Sequence, residues 1–198
     1  MITEARCGTV KRETKETEIK LEFSLDGQGT AEVRTGLPFL DHMLTLFTVH
    51  GFFDVKIQAT GDLEVDGHHT VEDLGICLGK ALHAALGHRE GIARYGYAVV
   101  PMDEACAWVA LDLSNRPFLV YQTPPLQSRV GTFETELISE FFRAFCHHGG
   151  VTLHIHAIYG SNTHHILEAV FKAWGRALDA ATRLEERRRG VPSSKGSL

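Results

Sequence analysis

The chain is written twice. Residues 68–82, HHTVEDLGICLGKAL, align without a gap on residues 164–178, HHILEAVFKAWGRAL. His68, His69, Glu72, Gly79, Ala81 and Leu82 thereby meet His164, His165, Glu168, Gly175, Ala177 and Leu178. Upstream, the stretch from His42 to His50-Gly51 matches that from Glu140 to His148-Gly149 after a small change in loop length. Further back, Arg6, Gly8 and Glu16 match Arg94, Gly96 and Glu104. Correspondences that keep one order along a chain mark duplication, and a duplicated chain folds as like units that share their buried faces.

Periodicity gives each half strands, a helix, strands and a helix. Thr17 to Leu25 alternates polar and apolar residues as a half-buried strand does, and Ala105 to Leu113 is its apolar twin. Asp41 to Val49 and Glu140 to His147 space Leu and Phe as helices do, whereas Phe53 to Ala59 and Val151 to Tyr159 read as strands. After each His-His pair, apolar residues recur at i, i+3, i+4 and i+7, an amphipathic helix. The expected fold is α+β: one domain over residues 1–198, with halves at about 1–92 and 93–184. Each half is a mostly antiparallel sheet with helices on one face. Residues 185–198 are expected to form a basic, flexible tail.

Bulk properties narrow the partners. A formal charge of −5 argues against nucleic acid. Cys7, Cys77, Cys106 and Cys146 form no CxxC pair, which favours a reducing cytoplasm over a disulfide framework. The opening MITEARCGTV does not read as a secretory leader. No apolar run approaches the roughly 20 residues that span a bilayer.

The 12 histidines cluster, and the duplicated His-His-x-x-Glu explains why. On a helix, i and i+4 share a face, so His68 with Glu72, and His164 with Glu168, can each chelate one ion. A neighbouring histidine is rotated by about 100° and is poorly placed to grip the same ion, which suggests that it serves a different one. The repeat therefore suggests crossed sets: His68, Glu72 and His165 at one site, and His164, Glu168 and His69 at the other. His42 and Glu140, paired by the repeat, could each add a fourth ligand. Imidazole and carboxylate without thiolate point to Mn, Fe or Zn in a catalytic role. His50 can cap its helix. His147, His148, His154 and His156 lack a helical carboxylate partner. Asp41 and Asp73 are candidates for orienting histidines.

The motifs together resemble imidazoleglycerol-phosphate dehydratase, a family of histidine biosynthesis. The matching stretches are Arg12-x-Thr14-x-Glu16-Thr17, Thr35 to Leu44, His50-Gly51, His68 to Asp73, Gly91 to Arg94, Met102 to Ala105, Asp112 to Pro117, His164 to Glu168 and Ser193 to Gly196. The resemblance implies dehydration of imidazole glycerol phosphate to imidazole acetol phosphate, with two Mn2+ per active site. One ion would take His42, His69, His164 and Glu168, and the other His68, Glu72, Glu140 and His165. Glu140 departs from members that carry His there.

The same resemblance makes Glu16 the proton-transfer group; its repeat twin Glu104 and the neighbouring Asp103 are weaker candidates. Arg94, Arg116, Lys172 and Lys195 become substrate contacts, joined by His50, Ser194 and Gly196. It also implies a shell of 24 subunits with sites formed between them. Binding both ring nitrogens to cations would favour an imidazolate, which can expel the hydroxyl as a diazafulvene forms. By composition alone the Ser-Ser-Lys-Gly tail would be disordered, so its site role implies ordering over substrate. Two rival readings are a dinuclear phosphoester hydrolase and a metal-buffering shell protein. Both leave Glu16, Arg94 and Arg116 without a shared purpose.

Overall fold

The structure is a computed structural model that describes residues 6–198. Residues 1–5, the head of the stretch read above for a leader, lie outside the described residues. The first half runs β1 (Cys7–Glu13), β2 (Thr17–Ser24), β3 (Ala31–Arg34), α1 (Pro38–Gly51), β4 (Asp54–Gly61) and α2 (His68–Leu86). The second runs β5 (Tyr95–Met102), β6 (Ala105–Asp112), β7 (Phe118–Gln122), β8 (Arg129–Val130), β9 (Phe133–Glu134), α3 (Leu137–Gly149), β10 (Thr152–Tyr159) and α4 (Thr163–Thr182). Apart from the inserted β8–β9 hairpin, the order is the same twice.

The two sheets repeat as well. Their strand orders are β1-β2-β4-β3 and β5-β6-β10-β7, and in each only the last pairing is parallel. Strand β2 shows why one face is covered: Thr17, Ile19, Leu21 and Phe23 are buried while Glu18, Lys20 and Glu22 are exposed. The α+β architecture of two like halves is thus as expected, and each sheet carries its helices on one face.

The helices find their partners across the halves. Helix α1 packs on α4, and α2 packs on α3, so four helices lie between the sheets. Glycines set the approach. A Cβ on Gly79 would stand 2.7 Å from the carbonyl oxygen of Phe145, and one on Gly175 would overlap that of Phe47. These two contacts are images of each other in the repeat. So are Gly8 against the Ala81 carbonyl and Gly96 against that of Ala177. At the centre, the fully buried Trp174 stacks on Phe47 at 3.8 Å and meets Phe141, Phe142, Phe145 and Phe171 edge-on.

Helix α1 begins earlier than the Leu/Phe spacing suggests, because Pro38 sits in the first turn, where its missing N–H costs nothing. It ends at Phe52, whose left-handed backbone (φ 56°) lets its N–H reach the Thr48 and Val49 carbonyls. Among the described residues no helix is long and apolar enough to cross a membrane. The four cysteines are free.

Candidate functional site

Both His-His pairs stand at helix starts, where unpaired backbone N–H groups need acceptors. Asp66 Oδ1 accepts the His68 amide at 2.7 Å. Asn162 Oδ1 caps α4, accepting the amides of His164 at 2.9 Å and His165 at 3.4 Å. The capped turns present the histidine rings outward, with Glu72 and Glu168 one turn on.

One group of three metal-competent donors forms among the described residues: His42, His164 and Glu168, with ligand atoms all within 4.8 Å. Glu168 Oε2 lies 3.2 Å from His164 Nε2 and 3.5 Å from His42 Nε2. The α1–α4 packing makes this meeting, since it brings His42 over the first turn of α4. Glu168 is buried, and its other oxygen takes Lys172 Nζ at 2.6 Å. Burial pushes its pKa up, but Lys172 and His42 outweigh burial and hold the carboxyl below its ordinary range. Two imidazoles and one anionic carboxylate suit a divalent ion such as Mn, Fe or Zn.

The remaining proposed ligands are not gathered within one chain. His68 Nε2 stands 3.9 Å from Glu72 Oε2. Glu140, on α3 beside α2, is paired with Arg143. His69 turns its Nδ1 to Asp62 Oδ2 at 2.9 Å, with Glu16 at 3.9 Å. His165 turns its Nδ1 to Glu104 Oε2 at 2.6 Å. Carboxylate hydrogen bonds raise the pKa of both rings. The bond from His165, with the Asn162 amide, pulls Glu104 down to about 2.

A separate cavity of about 390 Å³ collects cations. Arg94, Tyr95, Ser114, Asn115, Arg116, Ser193, Ser194 and Lys195 line it, and no residue of the metal triad does. Asp112 fixes Arg94 through Nε at 2.7 Å and Nη2 at 3.0 Å, and lies 3.6 Å from Arg116. The third Arg94 nitrogen donates to the Pro192 carbonyl at 2.7 Å. Residues 185–198 therefore follow a defined course past Gly91, where Gly190 accepts the Gly91 amide at 2.9 Å and Glu185 donates to the Gly91 carbonyl at 2.8 Å. Gly196 N donates to Ser193 O at 3.1 Å, which closes the turn below Lys195.

The family model described as imidazoleglycerol-phosphate dehydratase matches residues 35–178. The chain belongs to that family. A protein named imidazoleglycerol-phosphate dehydratase from Syntrophobacter fumaroxidans is 72% identical over 193 residues, covering 98% of both chains. The Acetivibrio thermocellus protein of that name is 56% identical, over 96% of this chain and 97% of its own. The crystal structure of imidazoleglycerol-phosphate dehydratase from Staphylococcus aureus is similar with a TM-score of 0.81 at 40% identity, over 90% of this chain and 99% of that one. That of the Pyrococcus furiosus enzyme, in complex with (S)-C348, gives 0.81 at 39%, over 96% and 100%. As a member of the imidazoleglycerol-phosphate dehydratase family, the chain is an enzyme of the hydro-lyase class.

Against that background the other candidates sort themselves. Asp73 and Asp41 do not touch a histidine. Asp73, buried, accepts the Thr17 hydroxyl at 2.5 Å and Arg12 at 2.9 Å, which ties the turn carrying Glu16 to α2. Asp41 accepts the amide and hydroxyl of Thr35 at 3.0 and 2.6 Å, bracing the entry to α1. His156 stacks on Trp108 at 4.3 Å in the second sheet. His50 is partly buried beside α4, and burial with Lys172 and Arg176 lowers its pKa. Sequence reasoning missed Asp62 and the double grip of Asp112. Asp62 stands where the repeat has Ser161, so no matching carboxylate draws attention to it, while Asp112 lies in the stretch Asp112 to Pro117, which by itself names no partner.

Proposed function

We propose that this chain dehydrates imidazole glycerol phosphate to imidazole acetol phosphate in histidine biosynthesis, in the cytoplasm. The observation that carries the reading is the meeting of His42, His164 and Glu168 on two packed helices in a chain of this family. His42, His69, His164 and Glu168 would hold one Mn2+, and His68, Glu72, Glu140 and His165 a second. When bound, the two ions supply positive charge at the ring nitrogens of the substrate, which favours the ring's anionic form.

The protein groups divide the remaining work. Glu16, half exposed at the turn before β2, moves the proton of the carbon beside the departing hydroxyl. Arg94, Arg116 and Lys195, with Ser194 and the Gly196 backbone, bind the phosphate through charge-assisted hydrogen bonds. Lys172 is a further cation for the phosphate, and His50 a further substrate contact. The arginine cavity shares no lining residue with the metal triad, and the Nδ1 atoms of His69 and His165 face Asp62 and Glu104, which supports sites completed by neighbouring copies. Assembly into a shell of 24 subunits would supply those copies.

The test is incubation of Mn2+-loaded protein with imidazole glycerol phosphate. The keto product should accumulate with no release of inorganic phosphate. Phosphate release without the keto product would instead favour a dinuclear hydrolase, and a loaded protein that leaves the substrate intact would overturn the reading.

A further inference from the structure

Each half holds the Nδ1 of its second motif histidine with a carboxylate, yet the two carboxylates are not counterparts in the repeat. Asp62 Oδ2 faces His69 at 2.9 Å, whereas Glu104 Oε2 faces His165 at 2.6 Å. The counterpart of Glu104 is Glu16, whose carboxylate stands 3.9 Å from His69, beyond hydrogen-bond reach. The counterpart of Asp62 is Ser161: an irregularity in β10 adds one residue, so Tyr159 falls on Thr60 and Gly160 on Gly61. The Cβ positions of these two glycines meet matching pairs, Ile166 and Ala105 for Gly160, Thr70 and Thr17 for Gly61.

The exchange follows from the residue that stands in Asp62's place. Ser161 has no carboxylate to offer, and its amide and hydroxyl instead meet Glu104 Oε1 at 3.1 and 3.3 Å. The register differs too. Strands β2 and β4 pair without interruption up to Thr17 and Gly61, while β6 and β10 are interrupted by an irregularity between Ala157 and Tyr159. In the second half the turn glutamate is the carboxylate at hand. Its Oε1 is engaged by the amides of Ser161 and Asn162 at 3.1 and 2.7 Å, which leaves Oε2 for the histidine.

We infer that Asp62 and Glu104 are positioning residues with one task in two halves, and that Asp62, by taking the task in the first half, frees Glu16 to face the substrate. Each accepts a hydrogen bond from Nδ1–H, fixes the ring and its tautomer, and leaves Nε2 as the metal donor. The inference rests on the reading of His69 and His165 as ligands.

Mn2+ titration of chelator-stripped full-length protein tests it by calorimetry, with melting curves as the check on folding. In Glu104→Gln the amide oxygen still meets the loop amides, so the NH2 is turned toward His165 and the acceptor is lost. That variant and Asp62→Ala should each weaken one class of Mn2+ site by roughly 10- to 100-fold and leave the other unchanged. Added Mn2+ should restore their activity. Glu16→Gln should bind Mn2+ as the wild type does while kcat falls by roughly 100- to 10,000-fold. Wild-type Mn2+ affinity in both Glu104→Gln and Asp62→Ala would overturn the inference alone. A wild-type protein that binds no Mn2+ would sink the ligand reading with it.

Discussion

Asp112 shows how one residue can shape a binding site without touching its ligand. Its two oxygens hold Arg94 in a fork and approach Arg116, so the cavity's arginines are presented already oriented. Asp112→Asn keeps one acceptor and sets an NH2 group against a guanidinium. Losing a charged hydrogen bond costs roughly 1.5–3 kcal/mol, so KM for the phosphorylated substrate should rise by roughly 10- to 100-fold. The phosphate is remote from the reacting carbon, so kcat should fall far less. Steady-state kinetics separates the two, and an unchanged KM would remove Asp112 from substrate binding. At this scale the sequence was informative where function repeats. His-His-x-x-Glu stood out because it occurs twice, and His42 because its partner in the repeat is also a donor. Asp62 was invisible because its counterpart, Ser161, carries no carboxylate. Asp73 and Asp41 were misjudged because a carboxylate near a histidine in sequence says nothing of which hydroxyl or guanidinium the fold will bring to it.

The strands and the motif helices were legible as elements, since Thr17 to Leu25 alternates and the residues after each His-His pair keep helical spacing. The pairing of elements was not. That α1 lies on α4 and α2 on α3 depends on glycines whose role emerges only when a backbone comes close. The β8–β9 hairpin, with strands of two residues each, is too short to show a period. The irregularity in β10 leaves no mark on an alternating sequence. The helix contacts make a prediction at this scale. Gly175→Ala sets a methyl against the Phe47 carbonyl and near Gly51 N, and must part α1 from α4. Overpacking of this kind costs about 1–3 kcal/mol, or roughly 2–12 °C in Tm at this chain length. Gly67→Ala, whose Cβ meets only leucine methyl carbons at 3.1 and 3.7 Å, should cost less. Thermal melts of the two variants decide the matter: equal midpoints would mean that the close α1–α4 approach contributes nothing.

For the molecule as a whole, the duplication gives two donor sets, of which one, His42, His164 and Glu168, is gathered among the described residues. Among the described residues the triad of His42, His164 and Glu168 has no fourth donor, and His69 is held by Asp62 beside a different helix start. The arginine cavity shares no lining residue with the triad. If donors from neighbouring copies complete each set, every bound ion ties two chains together, and its binding energy becomes part of the energy of assembly. Stripping the metal should therefore shift a large homo-oligomer toward smaller species, and restoring Mn2+ should return it. Sedimentation velocity at fixed protein concentration, before and after chelation, reads this directly. Glu168→Gln should behave as the stripped protein does even with Mn2+ present, because it loses the anionic donor of the triad. An assembly indifferent to both treatments would mean that the chains are held by packing alone, and that the ions sit within sites that a single chain closes by moving His69 and His165.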